Sequence, residues 1–149
     1  MNKIYDMKRP YTEDVIQRYR SDYVGLSDMS IISKYEIVSR NLLSVLHSDG
    51  SHYYYDPIIR RRWRADFYDT ADVMKMILGD RLYFYMSSRG YTQSELSKKS
   101  GVSQPCISSY IKGRSAPSYL AIGRIVKALH IEHDVLCPCI ANNTYTFMD

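Results

Sequence analysis

The chain has 149 residues and a net charge of +4, with 45% hydrophobic and 24% charged residues. This length allows one ordinary domain or two small ones, and the composition is that of a chain that folds. The sequence contains no signal-peptide pattern and no apolar run long enough to cross a membrane. Its three cysteines are too few for a disulfide framework, so we expect a cytoplasmic protein with reduced thiols.

Residues 1–50 show the pattern of three short helices. Thr12 fits the N-cap of a helix whose apolar face contains Val15, Ile16 and Tyr19. Serines at positions 27 and 39 fit the N-caps of two further helices, which we predict over residues 28–35 and 40–47. This segment is therefore predicted to be a helical unit.

Residues 51–77 are predicted to connect this unit to the rest of the chain. After a turn at residues 48–51, Asp56-Pro57 fits a helix start, and Ile59, Trp63 and Phe67 follow at intervals of four on one side. Arginines occupy positions 60, 61, 62 and 64. They form either the solvated face of an amphipathic basic helix or a set of phosphate contacts from Arg60, Arg61 and Arg62.

The second half of the chain has the clearest signals for helix starts and helix ends. Residues 76–116 contain six basic and two acidic groups, which predicts a surface that faces a polyanion. A helix through Leu82 and Met86 is expected to end at Gly90, and Thr92-Gln93-Ser94-Glu95 is a capping box that starts the next helix. A turn at Gly101 follows.

A further helix is expected to begin after Ser103 and to end at Gly113. Pro117-Ser118 then opens a fourth helix, and a last short helix is expected to include Val135 and Leu136. The apolar stripe of the fourth helix is predicted at Leu120, Ile122, Ile125, Val126 and Leu129.

Residues 78–137 resemble the phage-repressor/Cro (Xre-type) helix-turn-helix family. The resemblance lies in the spacing of the capping box at Thr92, the turn at Gly101, and the later Gly113 and Pro117. The resemblance implies a sequence-specific, double-stranded DNA-binding transcriptional regulator that acts as a repressor of a phage or other mobile element. Two departures stand out. Met86 and Ile111 replace an Arg and a Glu that often form a buried ion pair in the family, and Pro105 replaces a polar residue that often reads bases.

The resemblance also implies the residues that contact DNA. Gln104 is expected to read adenine, while Gln93 anchors a phosphate at a helix N-terminus. The remaining contacts of this segment are expected from Ser108, Ser109, Lys112 and Arg114.

Residues 8–47 show a second, weaker resemblance, to the helix-turn-helix units of resolvases and transposases. Shifted by 64 residues, positions 30–44 share six identities with positions 94–108, and Lys8-Arg9-Pro10-Tyr11 stands where such proteins have a minor-groove arm. The outward positions that match Gln104 and its neighbours are Arg40, Asn41 and Ser44. These residues are candidate DNA contacts, unless the unit serves dimerisation.

No chemistry beyond binding is predicted. His130, His133, Cys137 and Cys139 are four metal-ligand types within ten residues, but the Cys-x-Cys spacing is tighter than that of common zinc sites. We therefore predict no metal, no cofactor and no enzymatic activity, and the four residues remain an open question.

Taken together, the sequence predicts an all-α fold. Its parts are a helix-turn-helix-like unit (1–50), a basic connecting segment (51–77), a helix-turn-helix domain (78–137) and a tail (138–149). The expected partner is double-stranded DNA, bound by a monomer or a homodimer. The alternative is an interaction protein, such as an antitoxin, phage counter-defence protein or packaging adaptor, that binds a protein partner and uses its helix-turn-helix for autoregulation.

Overall fold

The computed structural model describes residues 13–24 and 31–138. They form two compact units, of which the first ends at Asp69 and the second begins at Thr70. None of the helices in these ranges has the length and apolarity needed to cross a membrane.

The first unit combines helix with sheet. Helix α1 (Glu13–Tyr19) continues into a π-helical turn (Arg20–Val24). An antiparallel sheet follows, with strands β1 (Ile32–Ser39), β2 (Leu42–His47), β3 (His52–Asp56) and β4 (Arg61–Arg64) in the order β1-β2-β3-β4. The prediction of an all-α fold is therefore wrong, because four antiparallel strands lie beside the helices.

The first hairpin shows why the two predicted helices over residues 28–47 do not form. Ser39 pairs with Leu42, so Arg40 and Asn41 make a two-residue turn, and Asn41 adopts a positive φ of 58°, a conformation that asparagine tolerates better than most residues. In β2 the side chains of Leu43 and Val45 are fully buried while the residues between and after them are more exposed. This period of two is that of a half-buried strand, and Ser39 ends a strand instead of capping a helix.

The predicted amphipathic connecting helix is also absent, because residues 52–64 form a second hairpin. The Asp56 carboxylate accepts hydrogen bonds from the backbone N–H groups of Ile58 (2.8 Å) and Ile59 (3.3 Å), and Arg60 adopts a positive φ of 57°. An aspartate that bonds the backbone two residues ahead stabilises a turn in place of a helix start. In β4, Trp63 is buried and the flanking arginines are half-buried.

The core of the first unit contains the face of α1 that the sequence predicted. Val15, Ile16 and Tyr19 are fully buried and belong to one cluster with Leu43, Val45 and Tyr55. The helix prediction for this face is confirmed. Ser27 and residues 8–11, where we predicted a cap and a minor-groove arm, lie outside the described residues.

The second unit is helical among its described residues, with α2 (Thr70–Ser88), α3 (Gln93–Ser100), α4 (Gln104–Ile111), α5 (Tyr119–Leu129) and α6 (His133–Leu136). Helix α2 runs without interruption through residues 77 and 78, where the sequence suggested a boundary. Leu82, Leu96, Ile107, Ile122 and Leu129 are fully buried in its core. Leu120, predicted in the apolar stripe of α5, is instead 59% exposed.

Candidate nucleic-acid interface

The start and the end of α3 are fixed by local hydrogen bonds. The Glu95 backbone N–H donates to Thr92 Oγ1 (3.1 Å), and the Thr92 N–H donates to the Glu95 carboxylate (3.0 Å), so the predicted capping box is confirmed. Gly101 ends the helix at a φ of 78°, and its N–H donates to the Ser97 carbonyl. This left-handed residue allows the sharp turn towards α4.

Helix α4 presents a polar face outward from a well-anchored start. Ser103 caps it by accepting a hydrogen bond from the Cys106 N–H (3.4 Å), as predicted. Ile107 is fully buried and Tyr110 is 8% exposed, so these two side chains hold the helix on the core. Gln104 is exposed in the first turn, and Ser108 is half-buried one turn later. The amide of Gln104 is therefore available to an external partner.

The segment after α4 carries two exposed basic side chains. Lys112 is the C-cap residue, Gly113 turns the chain at a φ of 71°, and Arg114 follows. The hydroxyl groups of Ser109 and Ser115 are 2.7 Å apart, which fastens this segment to α4. Ser109, which we expected to reach a DNA groove, thus has an internal hydrogen-bond partner.

Gly79 of α2 lies against the C-terminal end of α4. A Cβ atom at this position would be 2.5 Å from the Tyr110 carbonyl oxygen and 2.6 Å from that of Ile111. Only glycine permits so close an approach, so this residue sets the distance between α2 and α4. This role is not visible in the sequence, because an isolated glycine within a helical pattern gives no signal of what lies opposite it.

The position of Gln93 and the charge of the surrounding sequence agree with an anion-binding surface. Gln93 is the first residue of α3, where backbone N–H groups favour a phosphate. Between Arg89 and Lys127 the sequence contains seven basic residues and one acidic residue, Glu95. That carboxylate is engaged in the cap, and the hydrogen bond from the Thr92 backbone lowers its pKa below the usual value.

The predicted N-terminal contacts do not lie on a recognition helix. Arg40 and Asn41 form the β1–β2 turn, where Asn41 is 6% exposed. Ser44 lies within β2, and its hydroxyl group is 2.6 Å from His52 Nε2. The interpretation of these residues as outward positions at a helix start is wrong, because that helix is a strand.

Arg60 and Arg62 have partners within the first unit. Arg60 forms an ion pair with Asp22, with its Nε 3.0 Å from Oδ2, and this hydrogen bonding lowers the pKa of the Asp22 carboxyl. The Arg62 guanidinium lies 3.9 Å from the ring centroid of Tyr53 and donates to the Tyr19 hydroxyl (2.9 Å). Burial raises the pKa of Tyr19 to about 12.

Arg61 differs from its two neighbours in the run. Its position in β4 is exposed, whereas Arg62 is half-buried. The three arginines of the predicted phosphate-contact set are therefore in three different environments: an ion pair, an exposed strand position and an aromatic stack. The sequence carried no signal of this, since the tyrosines that surround Arg62 come from α1, from the π-helical turn and from β3.

Two of the candidate metal ligands near the C-terminal end of the second unit, His133 and Cys137, are in contact. Cys137 Sγ lies 3.6 Å from His133 Nε2. Within residues 13–24 and 31–138, no group of three or more His, Cys, Asp or Glu residues has a geometry suited to a metal ion. Cys139 lies outside the described residues.

Comparison with known proteins agrees with the geometry of the second unit. Residues 85–136 match the HTH_3 family model, described as Helix-turn-helix. No curated protein matches the chain. The predicted resemblance of this segment to the Xre-type helix-turn-helix family is confirmed.

Several solved structures are similar to part of the chain. The restriction-modification controller protein C.AhdI from Aeromonas hydrophila is 29% identical, with 44% of this chain and 97% of that one covered and a TM-score of 0.40. SinR, the master regulator for biofilm formation, solved in complex with DNA, is 28% identical over 40% of this chain and 95% of that one, with a TM-score of 0.39. The clp gene regulator ClgR from C. glutamicum is 30% identical over 42% and 83%, with a TM-score of 0.40. The family match supports a DNA-binding regulator.

Proposed function

From the helix-turn-helix match of residues 85–136, we propose that the protein is a sequence-specific double-stranded DNA-binding regulator that reads its operator with α4. The observation that carries the proposal is the exposed Gln104 in the first turn of a helix anchored by Ile107 and Tyr110. A helix of this kind enters the major groove, and a glutamine amide there pairs bidentately with adenine N6 and N7. Ser108 lies one turn further along the same helix.

Phosphate contacts are assigned to the ends of the helices. Gln93 at the start of α3 approaches the backbone with its amide and with the helix N-terminus. Lys112 and Arg114, both exposed after α4, neutralise phosphates on the other side of the groove. These contacts position α4 without carrying sequence information.

The proposed biological role is repression of promoters of a phage or other mobile element, in the cytoplasm where duplex DNA is accessible. Its support is the resemblance of the motif to phage repressors, together with the basic excess of the same segment. The proposal assigns no base reading to the first unit, since Asn41 is buried in a turn and Arg60 and Arg62 are engaged by Asp22 and the tyrosines.

The test begins with selection of binding sites from random duplex DNA by the full chain. On the selected site, Gln104→Ala should weaken binding by about 1–3 kcal/mol, with little effect on random DNA. Lys112→Ala should weaken binding to both kinds of DNA and reduce the slope of log affinity against log salt by about 1. Lys34→Ala, at an exposed position of β1, is the matched control and should change neither.

Two outcomes contradict the proposal. Equal losses on both kinds of DNA for Gln104→Ala would remove this residue from base reading. Failure of the wild-type chain to enrich any sequence would reject sequence-specific binding and would favour the interaction protein as the alternative.

A further inference from the structure

A basic cleft lies in the second unit between the end of α3 and the second half of α5. It has a volume of about 500 Å³. The basic and aromatic side chains that line it are Tyr91, Lys99, Arg124, Lys127 and His130. This volume falls in the range of about 300–1,000 Å³ typical of small-molecule sites. No residue of α4 lines the basic cleft, so it is distinct from the proposed base-reading surface.

Three basic side chains converge on the basic cleft. Lys99 comes from the last turn of α3, and Arg124 and Lys127 are three residues apart on one face of α5. Among the described residues, none of these three forms an ion pair. Their positive charges, all exposed at the basic cleft, favour an anion there.

The helix dipole accounts for only part of this arrangement. Lysines in the last turn of a helix are stabilised by its negative end, which applies to Lys99 and Lys127. Arg124 lies in the middle of α5, where the helix dipole does not stabilise its charge. An arginine placed there, beside two lysines and a cleft, has the forked donors that match a phosphate group.

Two aromatic side chains, Tyr91 and His130, also line the basic cleft. The Lys99 ammonium lies 5.1 Å from the centroid of the Tyr91 ring. His130 is the C-cap of α5 and holds a left-handed conformation with a φ of 58°. The imidazole and the phenol provide flat surfaces and polar edges next to the cations.

We propose that the basic cleft binds a small phosphate-bearing molecule of nucleotide size. Arg124 and Lys127 hold the phosphate oxygens from α5, and Lys99 does so from α3. The remainder of the molecule lies towards Tyr91 and His130. This binding is independent of the DNA-reading role proposed for Gln104.

The experiment measures binding of pyrophosphate and of ADP to the full chain by titration calorimetry in the absence of DNA. Both probes should bind, and Arg124→Gln and Lys127→Gln should each lower the affinity at least tenfold. Lys98→Gln, an exposed neighbour of Lys99 that does not line the basic cleft, is the matched control and should leave the affinity unchanged. His130→Gly should preserve the left-handed C-cap, so a loss of ADP affinity in this variant reports the imidazole itself.

The two probes separate the possible sources of the phosphate. Comparable affinities would indicate a site for the phosphate groups alone, whereas tighter binding of ADP would show that the rest of a nucleotide contributes. The proposal is overturned if neither probe binds at about 1 mM, a concentration that corresponds to a binding free energy of about −4 kcal/mol. Equal affinities for the wild type and for Arg124→Gln and Lys127→Gln would overturn it as well.

A third outcome points to DNA. If neither probe binds and the Arg124 and Lys127 variants weaken DNA binding with a shallower salt dependence, the basic cleft follows the DNA backbone and the proposal is wrong. Failure of the DNA-reading proposal can be distinguished from failure of the cleft proposal. Gln104→Ala tests the first through DNA binding and should leave pyrophosphate affinity unchanged.

Discussion

Gly79 and Gly123 provide the sharpest test of how α2 and α4 are held together. Both glycines lie inside helices, α2 and α5 respectively. A Cβ at Gly79 would be 2.5 Å and 2.6 Å from two backbone carbonyl oxygens of α4, whereas a Cβ at Gly123 would meet nothing within 4 Å. The same substitution to alanine should therefore have opposite effects at the two positions.

The magnitudes follow from two contributions. Replacing a helical glycine by alanine stabilises a helix by about 1 kcal/mol, and this gain applies to both variants. Over-packing a well-packed interior costs about 1–3 kcal/mol, and the upper end is expected at Gly79 because the opposing atoms belong to the backbone. Gly79→Ala should thus lower the free energy of unfolding by about 2 kcal/mol, and Gly123→Ala should raise it by about 0.5–1 kcal/mol.

The measurement is urea denaturation of the two variants and the wild type, followed by helical circular dichroism. Binding of DNA to Gly79→Ala should also weaken, since relief of the contact displaces the end of α4 and the segment that carries Lys112. A Gly79→Ala protein as stable as Gly123→Ala would show that α2 and α4 do not approach as closely as the structure indicates.

Two further predictions concern a cap and a half-buried histidine. Ser103→Ala should lower the free energy of unfolding by about 1 kcal/mol, because α4 loses its N-cap, and thermal denaturation checks this; an unchanged melting temperature would contradict it. Burial lowers the pKa of His52 below 6.5, so the unfolded chain binds more protons and stability should fall as the pH drops below about 6.5. Denaturation at about pH 7.5 and 5.5 should show a smaller difference for His52→Gln than for the wild type, and equal differences would refute this assignment.

The sequence alone determined most of the second unit, because its signals are local. The capping box at Thr92, the left-handed Gly101 and the cap at Ser103 each involve residues no more than four positions apart. Such short-range hydrogen bonds and backbone preferences act wherever the segment lies. They placed α3 and α4, and with them the exposed Gln104.

Only the tertiary structure decided the sheet of the first unit. Ser39 fits a helix cap by local pattern, yet strand pairing between Ser39 and Leu42 and between Leu43 and Tyr55 selects the sheet. A serine can cap a helix or end a strand, depending on its surroundings. The six identities between positions 30–44 and 94–108 therefore did not predict which structure residues 30–44 adopt.

The same reason explains the side chains whose roles were missed. Arg62 stacks on tyrosines that are distant in sequence, and Gly79 is required by carbonyl groups more than thirty residues further along the chain. The basic cleft likewise combines α3 with α5. In the second unit, local pattern determines where the helices start and stop, whereas contacts formed only on folding determine the environment of residues such as Arg62 and Gly79.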